Sequence, residues 1–128
     1  MNIPVLMVAC ITALALVAHV LVGTRETAAI APSGDNSKLT QHWVQAMCAF
    51  QMLSIDLLLV TAVLFAIAVL DLGAIERSIV LILGALYLLW GVVWLAQMLW
   101  LKSRGVSLFR LPQWLVWFVC AGLLFVGA

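Results

Sequence analysis

Four apolar runs separated by polar stretches organise this chain, at about Ile3 to Val22, His42 to Leu70, Ser78 to Leu101 and Leu111 to Gly127. At a helical rise of about 1.5 Å per residue, runs of this length come close to or exceed the roughly 30 Å of a bilayer's hydrocarbon layer. None of them alternates with the two-residue period of a strand. The pattern predicts an all-α polytopic membrane protein: a four-transmembrane-helix, up-down bundle forming one transmembrane domain over 1–128. Pro4 and Pro112 fall where a first helical turn tolerates proline. A polar loop from Thr24 to about Thr40 contains the breakers Pro32, Ser33 and Gly34, and Gly73 is placed to cap the second run. That second run begins between Ser37 and His42 and exceeds what the hydrocarbon requires, so it should tilt or project.

Composition removes the alternatives. Hydrophobic residues make up 67% of the chain and charged ones 9%, with a mean hydropathy of +1.27. A water-soluble domain needs about 25% charged residues. The net charge of +1 leaves no footprint for nucleic acid. Cys10, Cys48 and Cys120 stand singly in apolar runs without metal-ligand spacing, as small packing groups do. Ala29-Ile30-Ala31 resembles a leader cleavage site. However, no basic residue precedes the first run, Pro32 follows the triplet, and Arg25 comes after the run, so a retained first span is expected.

Four crossings would put both termini and the turn at 71–77 on one side, and the connections at 24–40 and 102–110 on the other. The second side carries Arg25, Lys38, Lys102, Arg104 and Arg110, against Arg77 alone on the first. The positive-inside rule then places both termini outside the cytoplasm. Trp43, Trp100 and Trp114 fall near the cytoplasmic boundary, as an aromatic belt would. Small dual-topology multidrug exporters need nearly balanced loops and an acid in the first span; this chain has neither.

The chemistry lies inside the runs. Asp56 sits near the middle of the second, where a charge costs roughly 2.5–3.5 kcal/mol on the insertion scale. Gln41, Gln45, Cys48, Met52 and Asp56 are spaced 4, 3, 4 and 4, which makes one helical stripe. Such a stripe should face protein or water. It reads either as a polar cavity ending at Asp56 or as a set of interhelical hydrogen bonds, and the expectation is that the costly side chains point inward. In the third run Gly84, Tyr87, Gly91, Trp94 and Met98 keep the 3/4 rhythm of a packed seam, bordered by Gln97. A Tyr87 hydroxyl donating to Asp56 is the expected pairing. His19 shares a face with Thr12, Ala15 and Gly23, level with Gln45 and Cys48, and could bond Gln45 or Thr12, shuttle protons or ligate a group. Haem would want a second axial ligand, and only His42 is on offer. Contact with haem, a quinone or a pigment is open, and none is demanded. No catalytic constellation is present in the sequence, so the reading leans away from an enzyme.

At His19-Val-Leu-Val-Gly23 and Leu111-Pro-Gln-Trp114 the chain resembles uncharacterised small four-span proteins of bacterial inner membranes. Such proteins often carry a Trp-His pair early in the second span, where this chain has Phe50-Gln51. The resemblance implies a multi-pass protein of the bacterial inner membrane and no activity. The expected role is a non-catalytic accessory or structural subunit of a larger membrane complex, respiratory or photosynthetic, beside lipid and other subunits. Trp90 and Trp117 would then be free to touch partners or pigment. The alternatives are a homo-oligomeric transporter or channel using Asp56, and a quinone- or haem-binding redox protein using His19.

Overall fold

The computed structural model describes residues 1–34, 36–102, 105 and 107–128, and these are all-helical or irregular, with no strand among them. Arg104, which entered the charge tally, lies outside the described residues, as does Asp35. Helix α1 runs Ile3–Ala29, α2 Ser37–Val69, α3 Glu76–Leu101 after a short 3₁₀ turn at Gly73–Ile75, and α4 Gln113–Gly127. Three helical segments are long and apolar enough to cross a membrane: Ile3–Ala29, Ser37–Val69 and Gly73–Leu101. The fourth helix has 15 residues, about 22 Å, so it is short for the hydrocarbon layer. The polar loop expected from Thr24 is mostly helix: α1 continues through a wide π turn, His19–Gly23, into Thr24–Ala29. Helical structure persists there because Thr24, Arg25, Glu26, Thr27, Ala28 and Ala29 include no breaker, and the next proline comes only at 32. The chain divides into two compact units.

The first unit comprises Met1–Val8 and Phe65–Ala128. Its helices α3 and α4 pack antiparallel, and the reason is steric. A Cβ at Gly84 would lie 2.9 Å from Cε1 of Phe125, and one at Gly91 would lie 2.8 Å from Cε1 of Phe118. The glycines therefore admit phenyl rings of α4. Between them Tyr87, Trp90 and Trp117 form an aromatic triad with centroid separations of 5.1, 5.8 and 5.6 Å. Each such pair contributes about 0.5–1.5 kcal/mol beyond the area it covers. That matters in a membrane, where lipid is as apolar as leucine and packing drives helix association.

Asn2 ties the same unit together at its other end. Its Oδ1 accepts the Val5 N–H at 3.3 Å and caps α1. Its Nδ2 donates to the Gly127 carbonyl at 2.8 Å and to Glu76 Oε1 at 3.3 Å, and its backbone N–H donates to the Ala68 carbonyl at 3.1 Å. One residue, through its side-chain amide and its backbone N–H, thus joins the ends of all four helices. Gly73, with φ of +60°, lies beyond the end of α2 and opens the turn into α3, its N–H held by Asp71 Oδ1 at 2.9 Å.

The second unit is Ala9–Leu64, the body of α1 and most of α2. Asn36 Oδ1 accepts the Leu39 N–H at 3.1 Å and starts α2. At 33 residues this helix is about 50 Å long, well beyond the hydrocarbon thickness, as its sequence predicts.

Candidate functional site

Two constellations stand out in the second unit. The first surrounds the π turn. There the Thr24 N–H reaches back five residues to the His19 carbonyl, a geometry that recurs at functional sites. The His19 ring stacks on Phe50 with centroids 3.8 Å apart and planes 15° from parallel. Its Nε2 lies 3.0 Å from the Phe50 carbonyl oxygen. A carbonyl only accepts, so Nε2 carries a proton and, in the neutral ring, Nδ1 keeps its lone pair. Gly23 faces the same phenyl group, since a Cβ there would lie 2.7 Å from Phe50 Cζ. Gln51 Nε2 donates to Thr24 Oγ1 at 3.2 Å, and Trp43 Nε1 donates to the Thr27 carbonyl at 3.1 Å.

His19-x-x-x-Gly23 and Phe50-Gln51, far apart in sequence, therefore meet at one place. The expected partners of His19, Gln45 and Thr12, are corrected to the Phe50 main chain. A backbone acceptor leaves no residue signature, which is why sequence could not name it. For a haem or quinone, Nε2 is already committed, and Nδ1 is the atom left to face a ligand. His42 is exposed, and no group of three or more His, Cys, Asp or Glu converges among the described residues.

The second constellation is the polar stripe of α2, and it faces outward. Gln41, Gln45, Cys48, Met52 and Asp56 are all exposed, Met52 by 69%. Leu59 and Val63 continue the same exposed face. Among the described residues no donor of its own unit reaches Asp56. The buried face lies on roughly the opposite side of the helix, at Ser54, Leu57, Thr61 and Leu64, with Phe50 half-buried beside it. Its two hydroxyls are satisfied within α2, Ser54 donating to the Phe50 carbonyl at 3.4 Å and Thr61 to the Leu57 carbonyl at 2.6 Å. For the α2 stripe, the inward orientation expected of it is thus reversed within its own unit, whereas His19 packs on Phe50.

The remaining candidates lie in the first unit. Tyr87 is fully buried within the aromatic triad, while Asp56 belongs to the other unit. Gln97 is exposed. Trp117 is buried, which corrects the expectation that it was free for outside partners, while the half-buried Trp90 packs on Trp117 and Tyr87 with one side. Sequence reasoning passed over two buried polar atoms that have no hydrogen-bond partner among the described residues: Nε1 of Trp94, a donor on α3, and Oε1 of Gln113, an acceptor on α4. In Leu111-Pro-Gln-Trp114, Pro112 precedes the first turn of α4 and Trp114 Nε1 donates to the Leu108 carbonyl at 3.1 Å, so this motif builds the helix start. Compared with known protein families, curated proteins and solved structures, the chain has no match.

Proposed function

We propose that the chain is a non-catalytic integral membrane protein, a small accessory or structural subunit of a larger assembly in a bacterial inner membrane. In this reading it crosses four times and keeps both termini outside the cytoplasm, following the five-to-one bias of basic residues. The observation that carries the reading is the outward polar face of α2. A carboxylate and two amides at Gln41, Gln45 and Asp56 are exposed on a membrane-length helix, although hydrocarbon tolerates neither group unpaired. A helix that displays them is one whose cover comes from elsewhere. The short α4 agrees, because a span below bilayer thickness is accommodated by local thinning or by association.

Native electrophoresis and mass measurement after mild solubilisation test the proposal. The expected result is migration in a stoichiometric complex with other membrane proteins. Migration as a lone monomer contradicts it. A reporter fused to the C-terminus that is active only outside the cytoplasm should be active.

A second reading, a homo-oligomeric transporter or channel, draws on the same face. Copies arranged in a ring would line a polar vestibule that ends at Asp56, beyond which Leu59 and Val63 are apolar. In that case Asp56→Asn abolishes ion or proton flux in reconstituted vesicles, and unchanged flux removes this reading.

A further inference from the structure

We propose that the exposed face of α2 centred on Asp56 seats a membrane-spanning helix of a different protein, one carrying a lysine or arginine at mid-bilayer depth. The proposal rests on the subunit reading and names the partner's chemistry. The face runs from Gln41 to Val63, about 33 Å along the axis, so it matches a whole span and not a local contact. Beside it, Met47, Cys48, Gln51, Met52 and Ile55 form an adjoining open surface patch of the same helix. Methionine and cysteine side chains are adaptable packing material for an incoming helix.

The charge pattern selects the occupant. An ionised carboxyl in hydrocarbon is matched by a cation, and pairing is how such groups are normally accommodated. None of the four apolar runs contains one. The basic residues of the sequence fall at 25, 38, 77, 102, 104 and 110, all outside those runs. A second copy inserted in the same orientation therefore brings another acid to Asp56 and no base. His19, the one imidazole well inside an apolar run, already donates to the Phe50 carbonyl. A foreign helix with a central base and a hydrogen-bonding side chain near the level of Gln45 satisfies what the face presents. Gln45 is eleven residues from Asp56, about 16 Å along the helix. The opposite face needs nothing from outside, since its hydroxyls are satisfied within α2.

The test uses the full chain in phosphatidylcholine vesicles with synthetic apolar spanning peptides, identical except for lysine or leucine at the centre, and energy transfer as the readout. The lysine peptide should bind the wild-type chain about tenfold more tightly than the leucine peptide, the scale of one polar contact between membrane helices. Asp56→Asn, which keeps the shape, and Asp56→Leu should both erase that preference. Glu26→Gln, at an exposed acid near the end of α1, should leave it intact. A lysine preference that survives in the Asp56→Asn protein overturns the proposal. So does Asp56-dependent pairing of wild-type copies in peptide-free vesicles, which would assign the face to a second copy. Native extracts separate this from the parent reading. If the Asp56→Leu chain stays in its larger complex, the face is wrong and the subunit reading stands. If the wild-type chain migrates alone, the subunit reading fails and the peptide preference still decides the face.

Discussion

The α3–α4 pair and the α1–α2 pair solve the problem of helix association in opposite ways. In α3–α4 the contact consists of glycines that admit phenyl rings and an aromatic triad, with nothing charged in it. In Ala9–Leu64 the contacts are polar and specific, from His19 and Gln51 to Trp43, and a second polar face of α2 is left outward. The first arrangement rests on shape, and leaves only Trp94 Nε1 and Gln113 Oε1 buried without a partner among the described residues. The second packs one side of α2 and leaves unmet hydrogen-bonding demand on the other. The difference suggests a division of labour, in which shape complementarity holds the chain together and polarity on α2 recruits what lies outside it.

If that contrast is right, the largest effect should come from the triad. Trp117→Ala should cost the isolated chain about 3–5 kcal/mol in reversible unfolding by SDS, the range for truncating a buried large aromatic. Gly91→Leu comes next, because the added side chain meets the Phe118 ring. A loss of about 1–3 kcal/mol is expected, and pairing it with Phe118→Ala should recover part of that loss in the same assay. His19→Ala removes a hydrogen bond and a stacked ring, an effect of about 1 kcal/mol. It should also shift the fluorine resonance of a fluorinated Phe50. Asp56→Leu should have the smallest effect on the isolated chain, within about 0.5 kcal/mol, as for an exposed position that contacts nothing. In native membranes the same variant should lose its larger assembly. A strongly destabilised Asp56→Leu monomer would break the contrast.

Much of the first unit could be read directly from sequence. The 3/4 rhythm of Gly84, Tyr87, Gly91, Trp94 and Met98 marks a packed face, and all of these but the half-buried Trp94 are buried. The identity of the groups that fill the glycine notches, Phe118 and Phe125, required the register of α3 against α4, which no local pattern encodes. In α2 the sequence reading took up the polar face alone. Gln41, Gln45, Cys48, Met52 and Asp56 advertise polarity, while Phe50, Ser54, Leu57, Thr61 and Leu64 keep spacings of 4, 3, 4 and 3. Reasoning from desolvation chose the first face as inward. The structure buries the second, whose hydroxyls satisfy themselves by bonding back to their own helix. The π turn and the long-range hydrogen bonds of Asn2 depend on backbone groups and chain ends meeting in space, and they leave no trace in residue spacing.

The most direct measurement is photo-crosslinking in native membranes from a diazirine side chain placed at Met52, on the exposed face one turn from Asp56, with mass-spectrometric identification of the adducts. A single discrete adduct with a different membrane protein, lost in the Asp56→Leu background, is the expected result. Adducts to lipid alone, or to a second copy of this chain, would contradict the account.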